Sequence, residues 1–384
     1  MAKIIFYPLD NADSYLVTTD KGTIFAFDYA VSHDPNNSEN RCIDLRKAFR
    51  EDIGWPNRNY VDVFGVTHGD DDHVRGIRDN FWLEHAKMYQ GEDRVKFTEL
   101  WVPAALLTEE AEDHTKIIRA EARYRFWNKK GIRVFSRPAK LKAWVEKQGK
   151  RWEDYEHLVT NAGQWVPGFS LSEINNTGIS FFVHSPFGER QKDAVLDRNE
   201  KCLVFQATIR AATGAVSADT RFMITGDVPQ AELSEIVKIT EAHAEVDPTR
   251  KDRLRWDVYK IPHHSSYGSL GPEKGTTKTE PTPEIAKLLD EYGSPNGVMV
   301  SSSKKIPSES NKDADKMPPH RQAYNRYKET ADALDADLFV TMEHPSIPNP
   351  ARLVITVDGH GPRAEKTSPR SAVAVTSTQS PRMG

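Results

Sequence analysis

The chain has 384 residues, 38% hydrophobic and 28% charged, enough to bury a substantial core as one large α/β domain or as two to three average ones. Its 52 basic and 56 acidic residues nearly cancel, so the whole-chain balance does not advertise a polyanionic partner, and two cysteines exclude a disulfide framework and any multi-cysteine zinc cluster. The opening MAKIIFYPLD has too short an apolar run for a signal peptide, and no segment approaches the ~20 apolar residues of a membrane span, so a soluble cytoplasmic protein is expected.

Three short apolar runs within 3–31, separated by Asp/Asn and Lys-Gly turns, predict a β-meander, followed by a helix over 43–51. The β-branched and aromatic run 61–66 predicts a strand that ends in THGDDDHVRGI. There, five potential metal ligands fall within six consecutive residues: His68, Asp70, Asp71, Asp72 and His73. In an extended loop, alternation places His68, Asp70 and Asp72 on one side, and His73 enters the turn that starts the next helix. Three Asp alone would read as a solvated turn capping that helix; histidines on both flanks favour a metal centre that can hold two ions.

A strand over 100–102 precedes a long helix expected over 109–130, and here the local charge departs from the average. Between 116 and 151 stand thirteen Lys or Arg against Glu121 and Glu146, a net +11, which leaves the rest of the chain at −15. Lys116, Arg119, Arg123 and Lys130 share one helix face, and Tyr124, Phe126, Trp127, Trp144 and Trp152 are interleaved with the cations. Cations for phosphates and rings for bases are what a single-stranded nucleic-acid groove needs; the competing reading is a solvated helix whose rings face the core.

Further strands are expected over 179–184, 202–209, 221–225 and 256–261, with a charged loop at 188–200 and a helix over 231–242. The strand in FMITGDVPQ ends at Gly226-Asp227, and the strand in YKIPHHSSYGS ends at His263-His264, so both repeat the pattern of a strand that delivers a ligand. A helix over 282–292, a strand over 298–301, a helix over 320–334 and strands over 338–341 and 353–357 follow, and the Ser/Thr/Pro/Ala-rich residues 361–384 read as a disordered tail.

The order HxDxDH, then GD, then PHH resembles the metallo-β-lactamase fold hydrolases, and within them the branch found as the soluble domain of bacterial DNA-uptake channel proteins (ComEC-like). Asp70 stands where the wider superfamily has a second His, as in that branch, whereas Ser265 stands where the branch has Gly. NADSYLVTTDKGTIFAFDYA, CLVFQ and GVMVSSS followed by PPH extend the similarity across 3–358. The resemblance implies a four-layer αββα metallo-β-lactamase sandwich over 1–360, with a basic, mainly helical insertion at about 104–165. It also implies that His68 and Asp70 bind one metal, that Asp72 and His73 bind the other, and that Asp227 bridges. A histidine of the 263–264 pair completes the second site, with His264 favoured as ligand and His263 facing substrate. The superfamily's extra histidine on the first metal is best matched by His184, at the end of its strand. Asp72, Asp227, His263 and His320 are the candidate catalytic groups, His320 as a leaving-group acid or phosphate contact.

Two divalent cations, Zn or Mn with Mg tolerated by so carboxylate-rich a site, would lower the pKa of a bridging water toward ~7 and stabilise charge on the attacking and leaving oxygens. The leading expectation is a nuclease cutting DNA, single-stranded by preference, with the 116–151 segment holding the strand. A hydrolase of a small phosphodiester, such as a cyclic nucleotide or phosphorylcholine ester, keeps the site and changes the substrate. A non-catalytic, metal-stapled module that binds nucleic acid or protein is the third reading.

Overall fold

Alternating burial along the strands decides the layers. The computed structural model describes residues 1–365 apart from Pro35, Ser38, Glu112, 188–201 and 310–315; the loop expected at 188–200 and the tail from 366 onward lie outside the described residues. In β1 (Ala2–Phe6), Ile4 and Phe6 point to one face and Ile5 to the other. Strands β2 (Tyr15–Thr18) and β3 (Ile24–Phe27) complete the expected meander. Helix α1 (Leu45–Ile53) follows, started by Asp44, whose side chain accepts from the Lys47 N–H, and closed by Gly54 in the left-handed conformation. It buries Leu45, Ala48, Phe49 and Ile53 on one face, at roughly 1.5–3 kcal/mol for each large side chain removed from water.

From β3 the sheet grows by parallel steps through β4 (Tyr60–Gly65), short helices α2 (Asp71–Val74) and α3 (Ile77–Asn80), and β5 (Lys96–Pro103). The helix expected over 109–130 is the shorter α5 (Asp113–Trp127); it starts late because a separate helix, α4 (Ala104–Thr108), precedes it and Glu109 after α4 is extended (φ −95°, ψ 166°). Strand β6 (Ile132–Phe135), helix α6 (Pro138–Lys147) and strand β7 (Val159–Thr160) follow, so the 104–165 segment is mainly helical but also adds two strands to the sheet.

After helix α7 (Ile174–Thr177), the second sheet begins with β8 (Ile179–Ser185), β9 (Val204–Thr213) and β10 (Val216–Ile224). Helix α8 (Gln230–Val246) leads to β11 (Trp256–Lys260), α9 (Pro283–Asp290) to β12 (Gly293–Ser301), and α10 (Arg321–Leu334) to β13 (Asp337–Val340). The chain then returns to the first sheet through β14 (Leu353–Asp358), which pairs with β1. Composition alone predicts disorder from residue 361, yet β15 (Gly361–Ala364) pairs with β14.

Among the described residues the sheets contain nine and six strands, ordered β15-β14-β1-β2-β3-β4-β5-β6-β7 and β13-β12-β11-β10-β9-β8. Between them lie Phe6, Phe25, Phe27, Trp101, Phe181, Phe205 and Phe222; helices α1, α5 and α6 cover the outer face of the first sheet, and α8, α9 and α10 that of the second. This is the four-layer αββα sandwich that the resemblance implies. Its parallel runs, β3 to β7 and β10 to β13, point their C-terminal ends to one edge, where loops carry polar groups into reach of one another. Among the described residues, no helix is long and apolar enough to cross a membrane.

Candidate metal centre

Three loops meet at that edge, each pinned by backbone hydrogen bonds to its neighbours. The loop after β4 receives the Leu203 N–H at the Thr67 carbonyl, the Asp13 N–H at the Asp72 carbonyl and the Tyr29 N–H at the His73 carbonyl, while the His263 N–H reaches the Gly226 carbonyl. Gly226, at φ 53°, lies so close to Thr67 that an added Cβ would come within 3.2 Å of the threonine Cβ, so both the backbone conformation and the approach of the two loops favour glycine.

The imidazoles are oriented from behind. His73 donates from Nδ1 to Asp28 Oδ2 at 2.8 Å, and Asp28 is itself held by the Thr67 N–H at 2.8 Å and hydroxyl at 2.6 Å. His264 donates from Nδ1 to the Ser302 carbonyl at 2.6 Å, and His68 Nδ1 lies 3.2 Å from the Thr67 hydroxyl. A histidine fixed through Nδ1 presents Nε2 as a ligand. His73 Nε2 lies 3.4 Å from Asp227 Oδ1, and His264 Nε2 lies 3.6 Å from Asp227 Oδ2 and 3.3 Å from Asp72 Oδ2. Asp72, His73, Asp227 and His264 thus gather ligand atoms within 4.8 Å of one another. His68 adjoins this set, its ring 3.9 Å from that of His73 and its Nε2 3.9 Å from Asp70 Oδ2.

Buried polar groups normally find partners, yet His68 Nε2, His73 Nε2 and Asp227 Oδ1 are buried here without a hydrogen bond. A cation satisfies all three, so the donor set fits a divalent metal. The electrostatics agree. Burial opposes charge on both partners, but His264 and His73 hold the Asp227 carboxyl well below the usual range, and Asp227 with Asp28 raises His73 despite its burial. Burial lowers His68, and His264 is raised because Asp227 and Asp72 outweigh its desolvation.

Behind the ligands stands a group that sequence reasoning missed. Lys260, fully buried at the end of β11, places Nζ 2.5 Å from Asp13 Oδ2, 3.2 Å from the Gly226 carbonyl and 3.9 Å from Asp227 Oδ1. The available signal was its position: an ammonium at the end of a strand, after Val258 and Tyr259 and two residues before the PHH motif. Asp28 was visible in FAFDYA, but its role in orienting His73 needs the loop crossing that only the fold supplies.

Of the other expected residues, His263 stands at the mouth, its side chain 32% exposed and its Nε2 3.9 Å from Asp227 Oδ2. His320 is buried behind the 263–265 turn, where its N–H donates to the Ser265 carbonyl and its Nδ1 accepts from the Tyr267 N–H. His184 is not brought to the cluster. Phe181 and Val183 of β8 face the other sheet, so alternation turns Phe182 and His184 outward toward α8, where His184 Nε2–H donates to the Arg253 carbonyl at 2.9 Å. Of the four basic residues, Lys116 and Lys130 are exposed, whereas Arg119 binds the Glu109 carbonyl and Arg123 the Leu107 carbonyl, so neither presents a free guanidinium. Most rings of that segment pack against the core, Trp127 on Trp144 at 4.7 Å and Phe126 on Tyr155 at 5.1 Å, whereas Tyr124 is exposed.

Beside His68 and Asp70 opens a cavity of about 170 Å³, lined by apolar Pro103, Ala105 and Leu106 and by Asp71, Glu109, Glu110 and Asp113.

No protein-family model matches the chain, and no curated protein does. Solved structures that it resembles include a presumed metal-dependent hydrolase from Parabacteroides distasonis (12% identity, 88% of this chain and 93% of that one covered, TM-score 0.35). Another is a diphosphatase of the PhnP family (11% identity, 92% and 97% covered, TM-score 0.32). Likeness at this level carries no information about activity.

Proposed function

We propose that this chain is a metal-dependent hydrolase of phosphodiesters. The observation that carries the reading is the convergence of His73 and His264 Nε2 on the two oxygens of Asp227, each imidazole fixed from behind, with His68 beside His73. Asp72, His73 and His264 gather around Asp227 and would hold one ion, and His68 with Asp70, beside His73, would hold a second, with Asp227 available to both. Charge supports two ions rather than one. Asp13 and Asp227 flank Lys260, the one ammonium buried at this site among the described residues, and together with Asp28, Asp70 and Asp72 the five carboxylates exceed it by four negative charges, which two divalent cations would neutralise.

Such cations, when bound, supply an acidified water and a sink for phosphate charge. The chain's own residues do the rest. Asp28 and the Ser302 carbonyl keep the ring nitrogens of His73 and His264 directed inward, and Lys260 holds the Asp227 side from beneath. His263, at the mouth, is placed to donate to a phosphate or leaving oxygen. In the overall reaction, the water oxygen bonds to phosphorus, one ester P–O bond breaks, and the departing oxygen takes a proton, giving a monoester and an alcohol.

A nucleic-acid substrate is the second reading, favoured by eight exposed cations in the 116–151 segment: Lys116, Lys129, Lys130, Lys140, Lys142, Lys147, Lys150 and Arg151. The test is to strip the protein of metal, resupply Mn²⁺, Mg²⁺ or Zn²⁺, and offer bis(p-nitrophenyl) phosphate beside labelled single-stranded DNA. Turnover of either that needs metal and vanishes in Asp72→Ala supports the proposal. Metal bound with neither substrate cut would point instead to a metal-stapled binding module.

A further inference from the structure

The ligand loop after β4 is fixed carbonyl by carbonyl. Thr67 is reached by the Leu203 N–H, Asp70 by that of His73, Asp71 by that of Arg75, Asp72 by that of Asp13 and His73 by that of Tyr29. These tethers come from the loop itself, from the turns after β1 and β3, and from the chain entering β9. The Gly69 carbonyl is held differently: it accepts from the hydroxyl of Thr115, in the first turn of α5. A side chain of the basic 104–165 segment thus reaches the backbone between His68 and Asp70.

The approach is close. A Cβ added to Gly69 would come within 2.9 Å of Thr115 Cγ2, and Gly69 does not sit in the left-handed region, so its small size rather than its backbone freedom lets α5 rest on the loop. The neighbouring pair of His114 Nε2 and Asp71 Oδ1, 3.9 Å apart with side chains 37% and 52% exposed, contributes little. The Thr115 hydroxyl is therefore the contact by which α5 fixes this part of the loop.

His68 is the imidazole that most needs such a tether. A carboxylate orients His73 at 2.8 Å and a carbonyl orients His264 at 2.6 Å, whereas His68 Nδ1 faces the Thr67 hydroxyl at 3.2 Å, and that hydroxyl already donates to Asp28. The aim of His68, and of Asp70 two residues on, accordingly depends on where the backbone between them lies.

We propose that Thr115 is a positioning residue of the metal centre: its hydrogen bond to Gly69 keeps His68 and Asp70 in place for the ion they would share, and acts little on the ion among Asp72, His73 and His264. The inference rests on the two-ion reading above. It gives the 104–165 segment a part in metal binding that is separate from its exposed cations.

The test titrates stripped, full-length protein with Mn²⁺ and, in parallel, Zn²⁺ by calorimetry, and counts bound ions by elemental analysis after gel filtration. Wild type is expected to take two ions. In Thr115→Val, which keeps the shape and loses the donor, one ion should bind as in wild type and the other at least about tenfold more weakly. Thr115→Ser, which keeps a hydroxyl, should recover the second ion. Wild-type affinity for both ions in Thr115→Val, equal weakening of both, or no recovery in Thr115→Ser would overturn the inference and leave the two-ion reading standing. Fewer than two ions of either metal in wild type would fail that reading and the inference with it. Circular dichroism checks the fold, and should Thr115→Val not fold, Thr115→Ala, which lacks the same donor, carries the same expectations.

Discussion

Asp28 stands behind the ligands rather than among them, yet it decides which nitrogen of His73 faces the metal centre. Its carboxylate takes the Nδ1 proton and is itself held by two donors from Thr67, so Asp28→Asn keeps the shape of the site but can offer an amide N–H to a nitrogen that must donate. The expected outcome is a loss of about 10- to 100-fold in metal affinity, read by competition against a chromophoric chelator, with the fold retained. Ser265 offers the opposite case. His263, His264 and Ser265 occupy the left-handed region in succession, at φ 47°, 52° and 65°, and the Ser265 hydroxyl is buried without a hydrogen-bond partner. A left-handed residue other than glycine costs ~1–2 kcal/mol, and glycine's greater unfolded freedom costs ~0.5–1 kcal/mol, so Ser265→Gly should stabilise the protein by roughly 0.5–1 kcal/mol in urea unfolding. Destabilisation would show that the serine makes a contact the geometry does not reveal. At this scale the sequence was legible where ligands cluster in sequence, as in His68 to His73, and illegible where a partner comes from another loop, as with Asp28 and Lys260.

Strand alternation, an element-level property, explains why His184 was misplaced. A histidine at a strand end after two buried residues satisfies the spacing of a ligand, but its parity assigns it to the helix-covered face. Burial there lowers its pKa from 6.5 to about 4. The folded state then resists a proton that the unfolded chain accepts, so the stability tied to neutral His184 is complete above about pH 6.5 and is lost as pH falls toward 4, by up to ~3 kcal/mol. His184→Gln should flatten the acid limb of a stability profile in that window and leave metal stoichiometry unchanged; a lost metal would return His184 to the ligand set. The 116–151 segment teaches a similar lesson. Charge and aromatic content gave its composition but not its faces, and the fold assigns Phe126, Trp127 and Trp144 to packing while Lys116 and Lys130 remain in solvent. Phe126→Ala, which empties a fully buried position, should cost about 3–5 kcal/mol in chemical unfolding.

Across the whole molecule, two sheets built by different chain segments deliver their polar loops to one edge, a layering that the motif resemblance implied and that the strand periods alone did not. What the sequence did not show was the sign of the field beside the site. The basic segment lies nearby in sequence, yet the cavity next to His68 and Asp70 is walled by carboxylates, because the turn before α5 rather than its cationic turns faces the metal centre. The central claim is that the groups around Asp227 hold the divalent cations that hydrolyse a phosphodiester. The most direct measurement is a metal titration of stripped protein, following bound ions by calorimetry and turnover of bis(p-nitrophenyl) phosphate in the same samples, with Asp227→Asn alongside. The account predicts two ions per chain, activity that rises with occupancy, and neither tight binding nor turnover in the variant. Full activity in the stripped protein, or metal binding and turnover undiminished in Asp227→Asn, would contradict it.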